Sequence, residues 1–196
     1  MANFCENIVD FYHNDINEVQ KMKKLVEDTG VLLSNYMPEP KQYAEGSKDF
    51  WKWRADNWGT TSDPTDIEVC YSDANPNEIT LIFHTAWNSP IEFFNNMVDL
   101  GWRVECVYEE EALQLVGRYT NKKDEYIEDL FDNFISGSLP MWAVEGWGHE
   151  ILERLHILGR IDDEGNLIDT EENRIEKSFG EWGHCDVVES YKKEIA

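Results

Sequence analysis

The sequence has few basic residues. It contains 17 Lys and Arg against 40 Asp and Glu, for a formal net charge of −23 and a pI near 4.4. The acids are spread along the chain, since residues 1–120 carry 9 basic and 21 acidic residues (net −12) and residues 121–196 carry 8 and 19 (net −11). A field of this sign repels phosphate backbones and anionic lipid headgroups at long range. We therefore expect no direct nucleic-acid binding and no attachment to a membrane.

Long apolar runs and paired cysteines are also missing. No stretch approaches the roughly 18 uninterrupted apolar residues of a membrane-spanning helix, and the N-terminus lacks the basic and apolar segments of a secretory signal. Cys5, Cys70, Cys106 and Cys185 are far apart in the chain, with no C-x-x-C pair. We expect reduced thiols in a cytoplasm. Three of the four lie in predicted strands, where cysteine usually serves as a small buried hydrophobe.

The sequence lacks the signatures of common catalysts. It has no phosphate-binding glycine loop and no H-E-x-x-H pair, and no known signature pairs one of its cysteines with a histidine. Carboxylates are too abundant for any two of them to be nominated as a catalytic pair. We therefore predict no catalytic residues and no cofactor, and the chain is more typical of a binding protein than of an enzyme.

Hydrophobic and aromatic residues are present in the proportions of a folded protein, at 41% and 13%. Period-two patterns predict strands at residues 4–12, 66–72, 78–85 and 102–108. Apolar residues at three- and four-residue spacing predict helices after the first and third strands, the first capped by Asn14 or Asp15 and ended by Gly30. The order β-α-β-β-α-β is the ferredoxin-like arrangement, in which helices cover one face of an antiparallel sheet.

The pattern changes in the second half of the chain. A further hairpin is predicted from residues 113–120 and 126–130, with its turn at residues 121–123, and a helix at residues 141–158. We therefore predict an α+β fold with a ferredoxin-like domain over residues 1–122. Residues 123–196 would hold the rest of the hairpin and a mainly helical C-terminal extension.

Two short motifs contain tryptophan and proline residues, namely Trp58, Trp87 and Pro90, whose side chains favour a structural role. The two motifs comprise Asn57, Trp58, Gly59, Thr60, Thr85, Trp87 and Pro90. Tryptophan buries a large area while its indole N–H needs one partner, so we expect both tryptophans to lock the strands onto the helices. Thr85 and Pro90 would form the strand-to-helix turn. The alternative is a cleft for a small ligand.

Further motifs extend this pattern over the first 120 residues. They are Asn3-Phe4-Cys5, Met37-Pro38-Glu39-Pro40, the stretch from Phe83 to Trp87 with Pro90 (Ser89 standing where a second proline is usual), and Tyr108-Glu109 with Gly117. In combination they resemble the YubB-like proteins, a phage and plasmid family with a ferredoxin-like N-terminal domain. The resemblance implies an accessory role for a mobile element inside a bacterial cell. It supplies no catalytic residues, and it does not reach beyond Lys122.

One group of residues in the C-terminal part has metal-ligand chemistry. Glu153 and His156 follow His149 at four and seven residues, so the three share one face of the predicted helix, and His184 could join them. An amphipathic helix explains the same residues. We predict no metal, and keep a small metal- or ligand-dependent enzyme as an alternative.

The acidic excess leads to the favoured hypothesis, a phage-encoded protein that binds and modulates a host protein with a basic surface. Such a protein would act in anti-defence or host takeover, in the strongest version as a DNA mimic whose carboxylates stand in for phosphates. The candidate contact residues are Glu109, Glu110, Glu111, Asp162, Asp163, Glu164, Glu171 and Glu172. A structural or virion-associated component is a further alternative. The sequence leaves the oligomeric state open.

Overall fold

A computed structural model describes residues 3–43 and 45–157. It is a mixed α+β structure containing a six-stranded antiparallel sheet. The chain divides into two compact units, Met1–Tyr126 and Ile127–Ala196. The division falls four residues after the boundary predicted at residue 122. Among the described helices, none is both long and apolar enough to cross a lipid bilayer.

The first unit contains the sheet and four helices. The elements are β1 (Phe4–Tyr12), α1 (Ile16–Thr29), α2 (Leu33–Tyr36), α3 (Lys48–Trp58), β2 (Thr65–Tyr71), β3 (Glu78–Ala86), α4 (Ile91–Asp99), β4 (Arg103–Glu110), β5 (Leu115–Thr120) and β6 (Lys123–Ile127). The strand order across the sheet is β2-β3-β1-β4-β5-β6, so β1 lies between β3 and β4 and pairs antiparallel with both.

Helix α1 begins and ends where local chemistry requires. The Asp15 carboxylate accepts a hydrogen bond from the Asn17 backbone N–H at 2.9 Å, which satisfies one of the free amides of the first turn. Gly30 ends the helix with φ of 64°, in the left-handed region that glycine adopts without strain. Between them the side chains of Val19, Met22 and Val26 are buried, as their spacing predicts.

One face of the sheet, here called the inner face, forms the core. In β1 the residues alternate strictly, and Cys5, Asn7, Val9 and Phe11 are buried while Phe4, Glu6, Ile8 and Asp10 are exposed. The inner residues of β3 and β4 continue the apolar layer, and α1 and α4 contribute Val19, Met22, Phe93, Phe94 and Met97 to the same cluster. The opposite side of the sheet is called the outer face.

The hairpin of β5 and β6 differs from its prediction. Its turn consists of Asn121 and Lys122, with φ of 46° and 74°, so both central residues are left-handed, as in the type I′ turn that suits twisted strands. The Asn121 side chain also accepts a hydrogen bond from the Val104 backbone N–H at 3.0 Å. The second strand is therefore Lys123–Ile127, which begins and ends three residues before the strand predicted at residues 126–130.

The described part of the second unit is helical. It comprises α5 (Leu130–Ile135) and α6 (Met141–Ile157). Helix α5 buries Leu130, Phe131, Phe134 and Ile135, although Leu130 was predicted to end a strand. In α6 the rings of Trp142 and Trp147 meet edge to face, with their centroids 5.9 Å apart.

Candidate interaction surface

The first tryptophan motif forms a junction between α3 and the end of β3. The Trp58 side chain is fully buried, and its indole N–H donates to the Met37 carbonyl at 3.0 Å. Thr60 donates from its hydroxyl to the Ala86 carbonyl at 2.9 Å. Gly59 has φ of 84°, and a Cβ there would lie 3.0 Å from the Ile91 backbone nitrogen. The Asn57 side-chain amide also donates a hydrogen bond to the Trp53 carbonyl at 2.8 Å. All of these contacts lie within the fold, as expected for residues with a structural role.

The second motif forms the turn from β3 into α4. The Thr85 hydroxyl donates to the Asn88 carbonyl at 2.8 Å and accepts from the Asn7 side-chain amide at 3.0 Å. Asn7 also donates to the Cys5 carbonyl at 2.9 Å. Pro90 caps α4 and is buried beside this turn. These bonds tie the polar end of the inner face to the start of a helix.

Trp87 does not fit the structural interpretation. Its side chain is 45% exposed, and its φ is 71°, a strained value for a residue with a Cβ. Its backbone N–H donates to the Asn3 carbonyl at 2.9 Å, so the residue is held by its backbone rather than by its ring. Only Trp58 of the two tryptophans lies in the core.

Burial raises the pKa of the two thiols and of a phenol on the inner face and so favours their neutral forms. It raises the pKa of Cys5 to about 12, with the nearby Glu110 carboxylate adding to the effect. Burial also raises the pKa of Cys106 and of Tyr108, whose hydroxyl donates to the Asp124 carboxylate at 2.8 Å. The Tyr108 ring lies over Gly117, where a Cβ would be 2.1 Å from it. A protonated, enclosed thiol is a poor nucleophile, so the properties of Cys5, Cys106 and Tyr108 are those of core residues.

Cys70 is the exception among the strand cysteines. Cys5 and Cys106 are buried, but Cys70 lies exposed on the outer face of β2. The prediction that strand cysteines are buried was wrong for this one because β2 is the edge strand, and its outer positions are uncovered.

Only three of the eight predicted acidic contact residues lie in the described part of the chain, and those three differ in exposure. Glu111 is exposed, but Glu109 is half-buried and Glu110 is only 1% exposed. The Glu110 carboxylate turns inward and accepts a hydrogen bond from the Leu113 backbone N–H at 2.5 Å, so it is not an outward-facing charge. Five further candidates lie outside the described residues, namely Asp162, Asp163, Glu164, Glu171 and Glu172.

The candidate metal ligands are not tested by the geometry. His149, Glu153 and His156 belong to α6, but their side chains lie outside the described part of the structure, as does all of His184. Within residues 3–43 and 45–157, no three His, Cys, Asp or Glu side chains whose positions are described come together in a group able to hold a metal ion.

The outer face carries an apolar row that sequence reasoning missed. Ile8 of β1 lies directly opposite Ile82 of β3 and Val107 of β4, so the three side chains stand side by side across the strands. Ile8 is 42% exposed and Val107 41%, while Ile82 is half-buried. The row ends at Glu68 of β2, opposite Ile82, and at Arg118 of β5, opposite Val107, where Arg118 pairs with Glu125. These three side chains, Ile8, Ile82 and Val107, form a small contiguous apolar strip in contact with water, which makes the outer face a candidate binding surface.

Carboxylates flank this apolar row on both sides. Glu6 and Glu109 form one flank and Asp10 and Glu105 the other, each pair directly opposite on β1 and β4. Arg103 lies 3.5 Å from Glu105, and the Thr80 hydroxyl donates to Asp10 at 2.5 Å. Like charges directly opposite one another destabilise a sheet. Arg103 and Thr80 offset part of this repulsion on the flank of Asp10 and Glu105.

Three outer-face carboxylates, Glu6, Asp10 and Glu68, have no counter-ion among the residues that the structure describes. Their charges therefore face solvent without local neutralisation. The surface, called the outer-face site, is defined by Glu6, Ile8, Asp10, Glu68, Ile82, Glu105 and Val107. Its signal in the sequence was the isoleucine at an outer position of β1, between two acids.

Comparison of the chain with protein-family models, with curated proteins and with solved structures gives no match in any of the three. The outer-face site is therefore the feature of the molecule that points to a function.

Proposed function

We propose that this chain is a non-enzymatic binding protein that attaches to a basic surface of a host protein through its outer-face site and modulates that protein. The observation that carries the proposal is the exposed row of Ile82, Ile8 and Val107 between two flanks of carboxylates. Covering the row would remove apolar area from water, and the flanks would select a partner of positive charge.

The outer-face site combines apolar and acidic side chains, which favours a protein partner over a nucleic acid or a metal ion. A phosphate backbone repels the carboxylates, and a metal ion would leave the apolar row exposed. An apolar row also has no counterpart in a DNA backbone. We therefore favour a partner that combines basic and apolar side chains over a groove built for DNA, which the mimic version requires.

We infer further that the first unit is ferredoxin-like. The order β2-β3-β1-β4, with helices α1 and α4 connecting alternate strands, supports this inference. The phage or plasmid origin and the action in a bacterial cytoplasm rest on the resemblance to the YubB-like proteins. The metal-dependent enzyme and the virion component stay alternatives that come from the sequence alone.

Capture of partners from a bacterial lysate tests the proposal. The full chain is immobilised as wild type, as Glu6→Gln/Glu105→Gln, and as the control Asp28→Asn/Asp73→Asn, which removes the same charge from exposed positions on α1 and after β2. Partners are quantified by mass spectrometry from about 50 to about 300 mM salt, a range in which screening shortens the reach of surface charges about twofold or more.

We expect a specific protein to be retained by the wild type and the control, and lost from the outer-face variant at lower salt. Retention that both double variants reduce equally would reflect net charge alone and would contradict a defined surface. Capture unaffected by either variant would contradict the proposal as a whole.

A further inference from the structure

The dimensions of the outer-face site define more than the charge of its partner. The apolar row runs across the strands rather than along one of them, because Ile82, Ile8 and Val107 are cross-strand neighbours. Along β1 itself, apolar and acidic residues alternate on the outer face, with Ile8 between Glu6 and Asp10. An extended partner lying parallel to β1 would therefore meet alternating chemistry, whereas a partner crossing the strands meets one continuous apolar line.

We propose that the outer-face site binds a basic amphipathic α-helix, laid across the strands with its apolar stripe on Ile82, Ile8 and Val107. This inference rests on the proposed function and names the class of partner. It is supported by three matches between the sheet and a helix, two in spacing and one in charge.

The first match is along the apolar row. Neighbouring strands lie about 4.8 Å apart, so the three side chains are spaced at about that interval. A helix rises about 1.5 Å per residue, so apolar residues at i, i+3 or i+4, and i+7 recur every 5 Å or so along one face. Two turns of a helix therefore place one apolar side chain over or between each of Ile82, Ile8 and Val107.

The second match is across the row. Residues two apart in a strand are separated by about 6.8 Å, so the carboxylates of Glu6 and Asp10 lie about that far on either side of Ile8. A helix with side chains is about 10 Å wide. Lys or Arg residues bordering its apolar stripe would therefore stand over the two acidic flanks, within reach of the carboxylates.

The third match is in charge. Asp10 and Glu105 face each other across β1 and β4, with Arg103 next to Glu105. A cationic side chain between them relieves the repulsion of the like charges. A second copy of this chain offers the opposite, because it would bring the same carboxylates against each other. Charge complementarity therefore selects a basic helix over self-association through this face.

Synthetic peptides of about 18 residues test the inference with the full chain. The first carries Leu at i, i+3, i+4 and i+7 positions with Lys on both borders, and the second has the same composition in an order without a stripe. Affinity is measured by fluorescence anisotropy at about 50 and 200 mM salt. The variants are Ile8→Thr/Val107→Thr, Glu6→Gln/Glu105→Gln and the control Asp28→Asn/Asp73→Asn.

We expect the striped peptide to bind about tenfold more tightly than the unstriped one, because only the striped peptide covers the apolar row while its charges are paired. Ile8→Thr/Val107→Thr should weaken it by about tenfold at both salt concentrations, since threonine keeps the branched shape and adds a hydroxyl. Glu6→Gln/Glu105→Gln should weaken it several-fold at low salt and less at high salt, and the control should have no effect.

Equal affinity for the two peptides would overturn the helix while leaving an electrostatic host-binding surface in place. Striped-peptide binding that survives Ile8→Thr/Val107→Thr would place the helix elsewhere and overturn the inference. Sedimentation as a dimer that the outer-face variants abolish would identify a second copy as the occupant. Failure of the proposed function is a separate result, since it appears in the lysate capture as insensitivity to every variant.

Discussion

The inner and outer faces of the sheet are built from alternate residues of the same strands, yet they follow different rules. On the inner face, polar groups such as Asn7 and Thr85 are buried and hydrogen-bonded to each other. On the outer face, apolar Ile8 is exposed and acids face acids across β1 and β4. The inner face forms the packed core on which stability depends, although the Asn7 Oδ1 atom is buried there with no hydrogen-bond partner among the described residues. The outer face has features that stability disfavours, which is why we assign function to it.

The largest test of this contrast compares the two motif tryptophans. Trp58→Ala should destabilise the protein by about 3–5 kcal/mol, because it empties a fully buried site and frees the Met37 carbonyl. Trp87→Ala should cost less than about 1 kcal/mol, because the ring is half in solvent. Urea unfolding followed by circular dichroism measures both. Equal losses would show that Trp87 belongs to the core after all.

The next test compares neighbours that point to opposite faces. Asn7→Ala should cost about 2 kcal/mol, because it removes buried hydrogen bonds to Thr85 and Cys5. Glu6→Gln should change the stability by about 0.5 kcal/mol or less, since the side chain is exposed. The same unfolding measurement applies. A loss for Glu6→Gln as large as that for Asn7→Ala would mean that the outer face contributes to folding, and would weaken its assignment as a binding surface.

The smallest effect is on the pH dependence of stability. The pKa of Cys5 rises from 9.0 to about 12 on folding, so the folded state resists forming the thiolate. Its contribution is complete below pH 9 and is lost as the pH rises from 9 towards 12. Between pH 8 and 10 we expect a loss of about 1 kcal/mol from this group. Burial also raises the pKa of Tyr36 to about 12, which acts in the same direction at higher pH.

Paired cysteine variants isolate this contribution. Cys5→Ala should make the stability fall less steeply between pH 8 and 10, whatever its effect at pH 8. Cys70→Ala should leave the pH dependence unchanged, because that side chain is exposed. An unaltered pH dependence in Cys5→Ala would contradict the raised pKa.

The sequence predicts the elements whose signals are local. Asp15, the stripe of Val19, Met22 and Val26, and Gly30 define α1 within a single stretch, and the structure has the helix there. The β5–β6 turn lies within the predicted residues 121–123, but the second strand begins earlier than predicted because only Asn121 and Lys122 form the turn. Leu130 was assigned to a strand because the strand-forming Tyr126 and Ile127 precede it, and the helix that begins there has no side-chain capping bond from Asp129.

The outer-face site could not be predicted from the sequence for a different reason. Ile8, Ile82 and Val107 are far apart in the chain, and each alone is an ordinary strand residue. They become a row only when the register of β1 with β3 and β4 is known. Glu110 was misassigned for a related reason, since its neighbours Glu109 and Glu111 are acidic but only the strand geometry turns its own side chain inward.

The edge of the sheet at β2 has a consequence for behaviour at high concentration. The pairing of β2 with β3 shifts between Thr65 and Glu68, and Asp66 within the shift has φ of 54°. An irregular, acidic border of this kind offers no straight template for another chain's strand. Concentrated solutions of the protein should therefore remain free of fibrils that grow by edge-to-edge strand addition at β2.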